Sequence, residues 1–224
     1  MLILLPMLAE LAGGPPRRAQ AAPLAALSAT DTFGYFADNG TLINLNICDD
    51  AGSTEISFGS PESFSTAISF TNFTFPFYEK TRDTFHVSIN GLITFSDSTL
   101  EPYDHLPMPV DLLPNDLVAP FWTDLELSAG KVCYQDKPDQ YVAVEWKNVE
   151  LTGIAGAFTF QALLYPNGNI QFQYPTSIPK VDYATVGIED SQGIFGLLAF
   201  YNEGGLPVNP GAIFIERPAA WPYG

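Results

Sequence analysis

The stretch AFTFQALLYPNGNIQFQYP, from Ala157 to Pro175, decides the fold. Phe158, Phe160, Ala162 and Leu164 alternate with Thr159, Gln161 and Leu163. After a turn, Ile170, Phe172 and Tyr174 alternate with Gln171 and Gln173. A period of two is that of a β-strand with one apolar face. Asn167-Gly168 sits between the runs, and both residues tolerate positive φ, so the pair signals a hairpin. The glutamines are expected to face solvent or a polar sheet face. Just upstream, QYVAVEWKNV (140–149) sets Val142, Val144 and Trp146 against Ala143, Glu145 and Lys147. Together the three runs predict an antiparallel meander with one buried face.

Outward from the meander the same pattern repeats. Short apolar runs fall at 43–48, 54–58, 73–78, 84–89, 91–95, 117–122, 131–135, 184–189, 195–200 and 212–216, separated by Gly, Pro, Asn and Asp. The pattern predicts an all-β, antiparallel, two-sheet β-sandwich in a single domain. Pro76 and Pro120 interrupt runs that otherwise look central. Proline cannot donate to a ladder, so they mark edges, bulges or strand ends. Asn90-Gly91 reads as a second hairpin turn. Between Asp97 and Asn115 lies a long loop holding Pro102, Pro107, Pro109 and Pro114. A loop of that length is either functional or a crossover between sheets.

Composition excludes several classes of function. The 224 residues carry 25 acids and 9 basic residues, for a net charge of −16. The basic residues are scattered, so neither nucleic acid nor an anionic membrane has a cationic patch to bind. No apolar run reaches the roughly 18 residues of a membrane span. Residues 1–21 read as an export signal: an apolar start broken only by Glu10, then Ala19-Gln20-Ala21 as a small-x-small cleavage site. Residues 22–30 read as a linker, 31–217 as the sandwich domain, and 218–224 as a tail. Export would place Cys48 and Cys133 in an oxidising compartment. They form one disulfide or stand as two separate buried thiols. Asn39-Gly40-Thr41 and Asn72-Phe73-Thr74 match glycosylation sequons.

Several pieces in one order carry a resemblance. They are FTFPFYEKTRDTFHVSINGLITF, LVAPFWTDLE, GKVCYQ, YVAVEWKNV, FTFQALLYPNGNIQFQY and ATVGIEDSQG. The chain resembles a nidogen-like extracellular β-sandwich domain. It is more similar still to the bacterial version appended to large secreted proteins such as subtilisin-type peptidases. Two positions depart from the pattern: Glu79 stands where such modules often have Gly, and Cys133 where they often have Tyr. The second departure favours a disulfide to Cys48. The resemblance implies a secreted or cell-surface adhesion or accessory module with an extracellular protein or glycan as partner. It implies no catalytic residues and no cofactor.

The residues themselves offer a rival. Asp124 and Glu126 stand at i and i+2, about 7 Å apart along a strand, beside Phe121 and Trp122. Paired carboxyls at such a distance serve glycoside hydrolysis, and an exposed Trp122 would give sugar a flat platform. An ordinary strand with outward acids has the same spacing, with Thr123 and Leu125 facing in. His105 beside Asp104 in the proline-rich loop is the better-placed histidine, since His86 alternates inside a strand pattern. No G-x-S-x-G elbow presents a nucleophile, and two histidines with no C-x-x-C or H-E-x-x-H make no usual zinc site. Oxygen ligands for a structural calcium are plentiful at Asp49, Asp50, Asp111, Asp116, Asp124, Glu126, Glu189 and Asp190, though none falls in an EF-hand loop.

Overall fold

The computed structural model describes residues 27–60, 63–96, 104–202, 206 and 209–219. The export signal, Trp221 and most of the tail lie outside the described residues, as does the 97–103 part of the proline-rich loop. The described residues form seventeen strands. In chain order the first nine are β1 (Ser28–Thr30), β2 (Phe36–Gly40), β3 (Thr54–Glu55), β4 (Ile68–Ser69), β5 (Phe75–Phe77), β6 (Lys80–Arg82), β7 (Thr84–Ser88), β8 (Leu92–Thr94) and β9 (Leu117–Trp122). The rest are β10 (Leu125–Glu126), β11 (Lys131–Lys137), β12 (Tyr141–Leu151), β13 (Ile154–Leu164), β14 (Ile170–Tyr174), β15 (Thr185–Glu189), β16 (Gly196–Tyr201) and β17 (Gly211–Glu216).

They build two antiparallel sheets packed face to face. The larger runs β1-β2-β17-β14-β13-β12-β11-β3, with β10 also on β12. The smaller runs β16-β15-β9-β8-β7-β4, and β5 pairs with β6 apart from both. The predicted meander is β12-β13-β14, in register Val144↔Ala162↔Phe172. Its apolar face supplies the core. Trp146 and Phe160 stack at 4.9 Å and 8°. Phe121 of the opposite sheet meets Phe160 edge-on at 5.7 Å. Two buried polar handles tie the layers: Trp146 Nε1 donates to Ser88 O at 2.9 Å, and the Tyr174 hydroxyl donates to Pro120 O at 2.8 Å. Each satisfies a donor that burial would otherwise leave unpaired.

Pro120 sits at a register shift in the middle of its sheet, between the pairs Ala119↔Gly187 and Trp122↔Thr185. That is the bulge its missing N–H requires. In the 165–169 turn only Gly168 has positive φ, at 86°, and Gly168 N donates to Tyr165 O at 2.9 Å. Pro166 and Asn167 therefore occupy the centre of the turn, and glycine takes the left-handed corner.

Two sequence expectations are corrected and a third is narrowed. Residues 43–48 form no strand: they lie outside every ladder and end in a single 3-10 turn at Ile47–Asp49. Ser28–Thr30, inside the segment read as linker, forms β1 against β2. Gln161, Gln171 and Gln173 are buried, at 1%, 4% and 0% exposure, and Glu145 is buried with them at 2%. Alternation places these residues correctly on the outer face of the large sheet; something covers that face.

Gly91 is the most tightly packed of the described glycines. Its φ is +77°, and a Cβ there would lie 1.8 Å from Phe121 O. Gly91→Ala should lower stability by about 3 kcal/mol or more in urea unfolding, because both the left-handed backbone and the close approach are lost.

Candidate functional site

The cover on the large sheet is the chain's own 41–48 segment. Gln173, Gln161, Glu145, Cys133 and Glu55 are directly opposed across successive strands, so they form one row perpendicular to the ladder. The segment crosses over that row and is held at every strand. Gln171 Nε2 donates to Thr41 O at 2.8 Å, and Ile43 N donates to Gln173 Oε1. Gln161 Nε2 donates to Leu45 O at 3.1 Å, and Cys48 N donates to Glu145 Oε2 at 2.7 Å. The row is also bonded to itself, from Gln173 Nε2 to Gln161 Oε1 at 3.0 Å and from Gln161 Nε2 to Glu145 Oε1 at 2.8 Å. Ile47 and the Cys48 side chain close a small apolar cluster with Ala143 and Leu163. Cys48 is joined to Cys133, with Cα atoms 5.3 Å apart. Closing a loop of 85 residues is worth about 4.5 kcal/mol by chain entropy. This strap delivers the chain from β2, near one edge of the sheet, to β3 at the other.

The small sheet has a strap too, made from the proline-rich loop. It runs along β15, two residues at a time. Thr185 Oγ1 donates to Leu106 O at 2.7 Å, Met108 sits over the bare Cα of Gly187, and Val110 N donates to Glu189 Oε2 at 2.7 Å. Leu92, Met108, Leu117, Ala119 and Trp122 form a closed apolar cluster beneath it. Trp122, the candidate platform, is therefore 1% exposed and unable to meet a sugar. His105 opens the strap. Its Nε2 lies 2.6 Å from Asn202 Oδ1, which also accepts Ala184 N, so the imidazole nitrogen is the donor. Its ring approaches Tyr201 at 5.7 Å and the half-exposed Tyr183 at 6.4 Å. Asp104 is exposed.

Asp124 and Glu126 do not converge on a cavity. Thr123 and Leu125 face in, and Glu126 is exposed, paired in register with Glu150 of β12. Asp124 is half-buried and accepts Thr152 Oγ1 at 2.9 Å, while its carbonyl accepts Thr152 N. Among the described residues, no group of three or more His, Cys, Asp or Glu is arranged to hold a metal. The acids singled out for calcium are spread over other tasks. Asp49 pairs with Lys147 and Asp50 with Lys137. Asp116 pairs with Arg82 at 2.7 Å, and Asp190 accepts the backbone N–H of Ile194 and Phe195 at 2.7 and 2.9 Å.

Residues that sequence reasoning did not single out form the concave surface. A cleft of about 430 Å³ opens where the large sheet ends at β3 and the small sheet ends at β4. Ile56, Ile68 and Tyr134 line it together with Ser57, Ser69 and Glu55. A second hollow of about 450 Å³ shares Glu55, Ile56 and Ser57 and continues to Ile89 and Leu127. Neither hollow is lined by Asp124, Glu126, Trp122, Asp104 or His105. The only sequence signal for this surface is the serine- and threonine-rich run from Ser57 to Thr71.

A family model described as NIDO related matches residues 32–210. No curated protein and no solved structure matches the chain.

The strap on the small sheet makes stability depend on pH. Burial pushes the Glu189 carboxyl up to about 8, and Asp190 beside it adds to the rise against the pull of Val110 N–H. Its partner Asn115, with the amide nitrogen turned toward it, donates to Glu189 Oε1 and Leu112 O. Burial likewise lifts Asp116 to about 6 in spite of Arg82. A carboxyl whose folded value lies above its unfolded value favours the fold fully only below the unfolded one. That contribution is lost as pH rises toward the folded value. Glu189→Gln keeps an acceptor for Val110 and removes the proton. The fall in melting temperature from pH 5 to pH 8 should be shallower in this variant than in the parent; equal slopes would contradict the assignment.

Proposed function

The chain belongs to the NIDO-related family, and we propose that it works outside the cell as a non-catalytic binding module. Its partner is an extracellular protein or glycan, and the module stands alone or serves a larger extracellular protein. The setting of Asp124 and Glu126 carries this reading. A glycosidase needs two carboxyls flanking one bound sugar, with one held protonated by its surroundings. Here one acid bonds a threonine hydroxyl and the other faces water opposite a third acid. Trp122 lies under a strap, so the carbohydrate reading built on this strand loses its platform. The joined Cys48 and Cys133 fit an oxidising compartment. Among the described residues no helix is long and apolar enough to cross a membrane. The straps cover the outer faces of both sheets, and the described cleft lies on the side of the sandwich instead.

Two measurements test this. Expressed with its own N-terminus, the chain should appear in the extracellular fraction, cut after Ala21 and free of reactive thiol. Purified protein should release no reducing sugar from chitin, β-glucan or pectin, and Asp124→Asn with Glu126→Gln should change neither that result nor the melting temperature by more than a few degrees. Sugar release that the double variant abolishes would replace the module with an enzyme.

A further inference from the structure

The two sides of the sandwich differ. On one side β1 of the large sheet packs against β16 of the small one, so a strand of the chain itself closes the seam. On the other side no described strand closes the seam. There β3 and β4 are the terminal strands of their sheets, and the 430 Å³ cleft lies between them.

Both edges turn main-chain groups toward that cleft. Ile56 N donates inward to Val132 O at 2.8 Å, and Phe70 N donates inward to Asp83 O at 2.9 Å. Donors alternate along an antiparallel strand. The N–H groups of Glu55 and Ser57, and that of Ser69, are therefore directed away from their sheets and into the seam. The edge on the small sheet is longer than β4 alone, because Phe64 bridges Ser88 and Ser65 N donates to Val87 O. One end of the cleft is tied shut where Asp136 of β11 accepts Thr71 N at 2.9 Å and Asn72 Nδ2 at 3.0 Å.

Natural sheet edges are normally protected by lysine, inward charge, proline or a covering segment. The described walls of this cleft carry none of the first three except Glu55. They are small and hydroxylated at Ser57, Thr66, Ser69 and Thr71, over a floor of Ile56, Ile68 and Tyr134. The volume falls in the range of ordinary ligand sites.

We propose that this seam binds an extended polypeptide segment of a partner protein, which adds as a strand between β3 and β4 and closes the sandwich as β1 does on the far side. The proposal rests on the module reading above and names the ligand class for it. Main-chain bonds to the outward N–H groups and carbonyls would give affinity, and alternate side chains would give specificity. The inward side chains must be apolar to meet Ile56, Ile68 and Tyr134. The segment must be neutral or basic, because Glu55 is the one charged group on the described walls and the whole chain carries −16.

The probe is a fluorescent peptide of alternating valine and threonine, eight residues long, flanked by lysines. Two controls accompany it: the same peptide N-methylated at alternate amides, and a version flanked by glutamates. Binding is read by fluorescence anisotropy, and contact by amide hydrogen exchange. The lysine-flanked peptide should bind and slow exchange at Glu55, Ser57 and Ser69. N-methylation should weaken it about tenfold or more, since a ladder cannot form. Ser69→Pro removes an outward donor and should weaken binding similarly. Should that variant fail to fold, the exposed Glu55→Lys carries the test and should reverse the preference between lysine and glutamate flanks. Equal binding of the N-methylated peptide, or no slowing at these amides, would overturn the proposal. Such a failure, with the chain exported and inert toward polysaccharides, would leave the module reading standing. Polysaccharide turnover would sink that reading while leaving the peptide result to be judged by its own controls.

Discussion

The Cys48 N–H to Glu145 bond, at 2.7 Å, is the contact on which the rest of the molecule turns. A carboxyl buried in the middle of a sheet face is costly unless hydrogen bonds satisfy it. Glu145 receives two, from Cys48 and from Gln161. Both bonds require the 41–48 segment to lie where it does, or depend on the glutamine row that holds it. The segment in turn brings the chain across four strands to the far edge, where the Cys48–Cys133 disulfide secures it and β3 can pair with β11. That pairing makes one wall of the seam. Burial of one acid thus reaches, through a strap, to the surface proposed for binding.

The small sheet repeats the device in another geometry. Glu189 accepts Val110 N at the same 2.7 Å, and the loop follows β15 lengthwise instead of crossing strands. Both outer faces are covered by irregular chain whose backbone is bonded in part to side chains of the sheet beneath. This explains how a chain with long apolar strands keeps its faces from pairing with other sheets, and it leaves the described cleft on a side of the sandwich.

The strands of the core were legible because alternation reports which residues share a face. The apolar positions of 142–146, 158–164 and 170–174 all reach the core as expected. Alternation does not report what lies over the other face. Gln161, Gln171 and Gln173 look solvent-facing for that reason, and no pattern in the sequence announces their cover. Residues 43–48 mislead in the same way: Ile43, Leu45 and Ile47 alternate as a strand would, yet Ile43 and Leu45 bond glutamine side chains of the sheet and Ile47 O accepts Asp50 N in the 3-10 turn. The acid pair carried a weak signal because i, i+2 spacing is also what an outward-facing strand produces, and the two carboxyls do not converge on a described cavity. The cleft is not legible in the sequence because serines and threonines at two distant edges share no motif. Pro120 is legible, since a missing N–H in a central strand leaves the chain few options.

Amide hydrogen exchange of the oxidised protein and of Glu145→Leu tests this coupling most directly. In the parent, the amides of Ile43, Cys48 and Ile56 should exchange slowly, in keeping with the bonds to Gln173, Glu145 and Val132. In the variant those three should lose protection together, while amides of β13 and β14 keep theirs. Fast exchange at Ile43 and Cys48 in the parent, or protection at Ile56 that survives loss of the strap, would contradict the claim that the buried glutamate and its row position the edge of the seam.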